Sequence, residues 1–451
     1  MTRERKTWYS YLHTTWQKYQ GPLLSNMLTV GIVSLLVKGV SFFKEILIAD
    51  TYGISELLDT YLIASLIPTF IQSVFLNSYG SVFIPNYVQE KESKKHMGAF
   101  QSSSFLITIL LALLMIGITY IGIDIYLESL FPGHNSTYYE LIKTQLWVIL
   151  PSILFWGISS LITGLLMIED EFFYSSLNNL FVPIVTIVLL LLFQQQLQEI
   201  TLALGMLSGS ILSCVYLVIV GIKKKVIFLK KPDFKSKNIR VLLSQVPAKI
   251  SSGLINGVNP MVDQYFSAQL AIGAIAALNY GYKIPIVTIS LISASIGNTL
   301  LPYFSKKVLE GKKKLYEYLQ SVLGKILILM SIIALVLIFL SKFIIAIFFE
   351  RGAFTSQDTE QVYVIQQMFL LQLPFYVTGI VMNKYLTALN KNNFLVLSSL
   401  VSLALNIILN YILMELMGTK GLALATSLVS LGNSTVIYLY IKKLYKKQNN
   451  V

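Results

Sequence analysis

The stretch Ile67-Pro-Thr-Phe-Ile-Gln-Ser-Val-Phe-Leu-Asn-Ser-Tyr-Gly-Ser-Val-Phe-Ile-Pro85 returns 217 residues later as Ile284-Pro-Ile-Val-Thr-Ile-Ser-Leu-Ile-Ser-Ala-Ser-Ile-Gly-Asn-Thr-Leu-Leu-Pro302. The opening Ile-Pro pair, Ser73 and Ser290, Ser78 and Ser295, Gly80 and Gly297, and the closing prolines coincide, with the prolines 17 apart in each copy. Leu150-Pro151 returns as Leu373-Pro374, and Leu202-Ala203-Leu204 as Leu422-Ala423-Leu424, at offsets of 223 and 220. Three matches in register mark an internal duplication. Membrane transporters use such repeats to build a substrate site at the repeat interface, near the midplane, and to rock between two openings.

Composition identifies the solvent. Hydrophobic residues make up 55% of the 451, and charged residues 13%, against about a quarter charged in soluble chains. Mean hydropathy is +0.68. A helix needs about 20 apolar residues to cross a bilayer. The pattern predicts an all-α polytopic protein with about twelve spans, near 27–49, 57–79, 99–122, 141–168, 175–194, 201–222, 241–266, 274–301, 320–349, 360–388, 393–416 and 421–441. These divide into a basic N-terminal segment (1–26), an N-lobe of six helices (27–222), a basic linker (223–240), a C-lobe of six helices (241–441) and a tail (442–451). Six helices per half gives both halves one orientation, around a central cavity.

Basic residues choose the side. Arg3, Arg5, Lys6 and Lys18, then Lys91, Lys94 and Lys95, the eight basic residues from Lys223 to Arg240, Lys306, Lys307 and Lys312 to Lys314, and Lys442 to Lys447 fall in one set of loops. The alternate set holds essentially Arg351 and Lys420. The positive-inside rule then puts both termini in the cytoplasm. The basic run at 223–240 is read as a topology signal beside anionic lipid, in preference to a nucleic-acid patch.

Several chemistries are excluded. Cys214 is the lone cysteine, and His13, His96 and His134 lie far apart in sequence, so neither an internal disulfide nor a metal-ligand cluster is expected. The longest outer loop, about 123–140, is too short for a catalytic domain, and no phosphate-binding glycine loop or nucleophile elbow is present. The expectation is a transporter with no cofactor and no assigned coupling ion.

Charges inside the spans locate the expected site. An ionisable residue at bilayer depth costs several kcal/mol and usually faces a cavity or a partner. The first span carries Lys38, Lys44 and Glu45, the second opens with Asp59, the seventh carries Lys249 and Asp263, and the eighth Lys283. Glu45, seven residues from Lys38 on one helix face, is positioned to neutralise it. Lys325, Lys342 and Lys384 lie where snorkelling suffices. Lys38, Lys44, Lys249 and Lys283 form a cationic lining suited to a pyrophosphate through charge-assisted hydrogen bonds. Asp59, Asp263, Lys44 and Lys283 gather toward the outer leaflet and are read as a gate, the acids pairing with the lysines when the outer side is closed.

The residues also resemble a family. Ser34-Leu-Leu-Val-Lys38-Gly-Val-Ser-Phe-Phe-Lys44-Glu45, Tyr52-Gly53, Asp59-Thr-Tyr61, Asn279-Tyr280-Gly-Tyr-Lys283, Leu300-Leu-Pro302 and Phe349-Glu-Arg-Gly-Ala-Phe354-Thr-Ser-Gln-Asp358-Thr resemble the MurJ/MviN lipid II flippases across nearly the whole chain. Gly418 and Gly421-Leu-Ala-Leu-Ala-Thr-Ser427 fit as well. The resemblance implies the multidrug/oligosaccharidyl-lipid/polysaccharide exporter fold, alternating access, and a polyprenyl-pyrophosphate-linked glycan as cargo, carried across the bacterial cytoplasmic membrane for cell-wall synthesis in the company of cell-envelope biosynthesis proteins. Members of the family typically carry arginine where this chain has Lys38, Lys44 and Lys283, and an acid where it has Asp59. They often show a basic pair where this chain reads Gln72-Ser73, and the best-known members carry two further C-terminal helices. A cation-coupled drug exporter of the same superfamily is the first alternative, although buried lysines here outnumber acids. A glycan polymerase lacks the outer loop it would need, and a non-transporting scaffold is the last alternative.

Overall fold

Without water in the hydrocarbon, backbone N–H and C=O groups must bond within their own segment, and long apolar runs therefore become helices. The computed structural model describes residues 22–93 and 97–449, and its named elements are all helices. Arg3, Arg5, Lys6, His13, Lys18, Lys94, Lys95 and His96 lie outside the described residues.

In the first half, α1 (Pro22–Tyr52) is followed by α2 (Glu56–Ile71), a π-turn (Gln72–Leu76), α3 (Asn77–Ser93), α4 (Met97–Leu130), α5 (Ser136–Ile149), α6 (Ser152–Ile168), α7 (Phe172–Leu177), α8 (Phe181–Leu197) and α9 (Thr201–Lys223). The second half holds α10 (Lys237–Ser267), α11 (Ala274–Leu309), α12 (Lys312–Phe349), α13 (Ser356–Leu370), α14 (Leu373–Ala388), α15 (Asn392–Met417) and α16 (Thr419–Asn449).

Among the described residues, nine helical stretches are long and apolar enough to cross a membrane. One, Phe172–Lys223, is 52 residues long and covers two expected spans. The chain reverses in it at Gln198, whose φ of 42° is left-handed. Gly205 then lies against Thr186 and Gly209 against Val182; as one number rises the other falls, so α8 and α9 pack antiparallel. The expected spans 27–49 and 241–266 are helices α1 and α10, 31 residues each.

The chain divides into two compact units. The first takes residues up to Glu45, Phe75–Ile118 and Trp147–Lys249. Its core stacks Phe83 between Tyr87 and Phe100 at ring distances of 5.6 and 5.8 Å, over Leu161, Leu165 and Leu217. The second takes Ile46–Val74, Thr119–Leu146 and Ile250–Val451. One apolar cluster in it joins Phe304, Leu319, Met382, Tyr385 and Ile437. The second unit thus combines most of the second half with two first-half segments, 46–74 and 119–146.

Candidate functional site

Helix α2 starts at Ser55, whose Oγ accepts from the Leu58 N–H at 3.4 Å. One turn later Asp59 is almost fully buried, with 2% of its surface exposed. Its Oδ2 accepts from the Gly273 N–H at 2.6 Å and its Oδ1 from the Ala276 N–H at 2.7 Å. Those amides sit at the start of α11, where Gly273 takes φ of 92° and where a helix leaves N–H groups unsatisfied and a partial positive charge. A carboxylate from α2 therefore caps a helix of the second half. The sequence reading set Asp59 and Asp263 with Lys44 and Lys283 as a gate; the Asp59 carboxylate accepts from backbone amides of α11.

Two more contacts join first-half to second-half segments within this unit. The Ala353 N–H donates to the Asp50 carbonyl at 2.7 Å. Gly53 and Gly352 both take φ of 51°, and a Cβ on either would collide with backbone, that of Ala353 or that of Asp50. The Arg351-Gly352-Ala353-Phe354 turn thus docks on the end of α1 only because two glycines are there. His134 Nε2 lies 3.1 Å from the Ala268 carbonyl, just beyond α10, with its ring stacked on Tyr138 at 4.1 Å.

Immediately after the turn, Thr355 caps α13. Its Oγ1 accepts from the Asp358 N–H at 3.3 Å while the Asp358 carboxylate accepts from the Thr355 N–H at 2.7 Å. The reciprocal pair is a capping box, as the Thr-x-x-Asp spacing predicts. Phe354 is buried beneath it against Tyr280 and Phe349, at ring distances of 5.3 and 6.1 Å.

Asp263, on α10, belongs to a different cluster. Its Oδ1 accepts from Asn406 Nδ2 at 3.1 Å and from Asn410 Nδ2 at 2.9 Å. Asn410 Nδ2 also donates to Asn406 Oδ1 at 2.9 Å, and Asn406 reaches Asn259 Oδ1 at 3.4 Å. The Ser267 hydroxyl donates to the Asp263 carbonyl. A cavity of about 450 Å³ opens beside this cluster, lined by Asn259, Asp263, Tyr282, Asn383, Asn406 and Thr426 among others. Carboxylate, amide and hydroxyl oxygens of this kind can orient water or hydroxyl-bearing groups. Asn406 and Asn410 escaped the sequence reading because they are uncharged. Their spacing of four inside an apolar run, Asn-Ile-Ile-Leu-Asn, was the available signal, since it puts two amides on one helix face.

The cations are distributed as follows. Lys44 forms an ion pair with Glu45 at 2.9 Å, and both side chains are about one-fifth exposed or less (20% and 16%). The sequence reading set Glu45 opposite Lys38; flexible neighbouring side chains on α1 allow the Lys44 pairing too. Lys38 and Lys283 are half-buried on α1 and α11. Lys249 is exposed, and its carbonyl accepts from the Ser78 hydroxyl at 3.3 Å, so one of the repeat-matched serines braces the backbone at a predicted site residue. Lys342 pairs with Glu360 and lies 5.9 Å from the Tyr363 ring. Gln72-Ser73 opens the π-turn that follows Pro68; such widened turns are frequent at functional sites.

Comparison with known proteins assigns this architecture. The family model described as "Lipid II flippase MurJ" matches residues 48–450. The "Probable lipid II flippase MurJ" of Buchnera aphidicola subsp. Schizaphis graminum is 25% identical over 434 residues, covering 94% of this chain and 84% of that protein. The "Lipid II flippase MurJ" of Thermosipho africanus is 28% identical over 420 residues, covering 92% and 85%. Among solved structures, a lipid II flippase MurJ in an inward closed conformation superposes with a TM-score of 0.80 at 25% identity, over 92% of this chain and 87% of that one. An inward-facing multidrug-resistance transporter of the MATE family, 11% identical, gives 0.76 over 94% and 99% and shares the fold. With the family model running along nearly its whole length, the chain belongs to the MurJ family of lipid II flippases.

Proposed function

We propose that this protein is itself a lipid II flippase. It carries a polyprenyl-pyrophosphate-linked glycan from the inner to the outer leaflet of the cytoplasmic membrane by alternating access, with both termini cytoplasmic. The observation that carries the reading is the family match over residues 48–450. The chemistry agrees with it: Lys38, Lys44 and Lys283 lie within expected spans, where basic side chains suit a pyrophosphate through charge-assisted hydrogen bonds, and Lys249 adds a fourth. Supplying the chain in trans to a bacterium depleted of its own lipid II flippase tests the proposal. Rescue of growth supports it, and lysis despite normal membrane expression refutes it.

The gate belongs to the same proposal. Asp59 closes the outer side by capping α11, and the Asp50–Ala353 bond closes it a second time. Opening outward breaks the cap, and Lys44 and Lys283 are the groups that take the cargo's pyrophosphate. Asp263 acts in the gate through Asn406 and Asn410, which fix its carboxylate. A ligand shifts such an equilibrium only by binding one state better than the other; the cargo's pyrophosphate supplies that difference at the lysines.

A further inference from the structure

The linker between α9 and α10 is not a slack tether. Gln101, fully buried on the second turn of α4, donates from Nε2 to the Val226 carbonyl at 2.9 Å and to the Tyr87 hydroxyl at 2.8 Å, and its Oε1 accepts from the Phe228 N–H at 2.7 Å. The Lys230 N–H donates to Ser102 Oγ at 3.0 Å and to the Gly98 carbonyl at 3.4 Å, and the Asp233 N–H donates to Ser103 Oγ at 2.8 Å. Gly98 makes room for this: a Cβ there would stand 2.8 Å from the Lys230 side chain and 3.1 Å from the Phe228 carbonyl. The linker is strapped along the first turns of α4.

The strap sorts its side chains. Val226 is 4% exposed and joins the core of its unit. Phe228, Leu229 and Phe234 point away, at 45%, 65% and 45% exposure, with Lys230, Lys231, Lys235 and Lys237 exposed among them. The linker's acid, Asp233, turns its carboxylate to its own chain, accepting from the Lys235 N–H at 2.9 Å. Lys224 is engaged elsewhere, paired with Glu171 at 2.7 Å and over the Tyr174 ring at 4.7 Å. The anchoring residues 98–103 begin a membrane span, Met97–Leu130, so they lie within about 9 Å of its end at 1.5 Å per residue. Apolar side chains interleaved with lysines at that level match the boundary between headgroups and acyl chains, where apolar residues dip in and lysines meet anionic lipid.

We propose that residues 226–237 form a lipid-binding strap that selects anionic phospholipid: Phe228, Leu229 and Phe234 enter the interface, and Lys230, Lys231, Lys235 and Lys237 hold the phosphate-bearing headgroups. The proposal rests on the membrane reading of the chain, but not on its cargo or on which side the linker faces. It is tested in nanodiscs, which expose both faces. A single cysteine at Leu229, in a Cys214→Ser background, carries an environment-sensitive fluorophore, and phospholipids brominated near the glycerol end of their acyl chains report contact by quenching. Leu191→Cys, on the exposed face of α8, serves as the reconstitution control and is quenched in every lipid. At Leu229 quenching is expected to be about twofold stronger with phosphatidylglycerol than with phosphatidylcholine alone, and the Lys230→Glu/Lys231→Glu/Lys235→Glu variant is expected to lose the difference. Equal quenching in the two lipids, a charge-reversed variant that keeps the preference, or no quenching at Leu229 while Leu191 is quenched overturns the proposal. Retention of a fluorescent RNA oligonucleotide by the native linker without lipid preference overturns it too, and assigns the lysines to nucleic acid. Rescue by the chain of a flippase-depleted strain is scored separately, so the two readings fail independently.

Discussion

Asp59 and Ala276 are joined by a hydrogen bond of 2.7 Å across 217 residues of sequence, which is the offset of the internal repeat. A position in the first copy thus binds its own counterpart in the second. The copies contribute unequally: the first supplies the carboxylate, and the second supplies the helix N-terminus. A duplication that began with equal halves here carries an asymmetric fastening.

That fastening predicts the behaviour of Asp59→Asn. Asn keeps one acceptor oxygen and turns an N–H toward the other amide, so one bond to the helix start is weakened and the other is lost, at a cost of about 1 kcal/mol. If the cap holds the outer side shut, the open population rises about fivefold. A cysteine at Ala268, 6% exposed beside His134, should react correspondingly faster with an impermeant thiol reagent in cells. Unchanged reactivity would remove Asp59 from the gate.

Gly53→Ala and Gly352→Ala test the second contact. Each puts a side chain on a residue at φ of 51° and into backbone across the contact. The left-handed conformation alone costs about 1–2 kcal/mol, so each variant should melt earlier than wild type and label faster at Ala268→Cys. A Gly352→Ala protein with native melting and labelling would show that the turn does not dock as described.

Thr355→Ala removes one side of the capping box, since its Oγ1 accepts from the Asp358 N–H. A loss of about 1 kcal/mol in stability is expected, with cargo preference unchanged. Altered preference at native stability would make Thr355 a substrate contact.

The deep lysines predict a separable loss. Lys38→Ala, Lys44→Ala and Lys283→Ala should each abolish transport at normal membrane levels, whereas Lys325→Ala should not. Arginine should be tolerated at the three sites, because a cation remains. Wild-type transport from the triple alanine variant would sink the assignment.

Much of this was legible in the residues. Helices follow from apolar runs, and a break between the expected spans 175–194 and 201–222, where the chain reverses at Gln198, was legible because polar residues interrupt the run there. The capping box was legible because its two partners are three residues apart. Asp59 stood out as a buried acid, but its partner did not. Backbone amides at a helix start have no residue type, and only Gly273 before an apolar run marks the place. Asn406 and Asn410 were missed because a search for charge passes over amides. The π-turn at Gln72 was missed because hydropathy carries no record of hydrogen-bond register.

The central claim is tested most directly by where lipid II resides. In cells depleted of their own flippase and expressing this chain, an outer-face enzyme that cleaves lipid II at its pyrophosphate should release headgroup at the level of undepleted cells. The Lys38→Ala/Lys44→Ala/Lys283→Ala variant, at equal abundance in the membrane, should release none above the depleted background. Background-level release from cells carrying the native chain at full membrane abundance would contradict the account and assign the protein a different cargo.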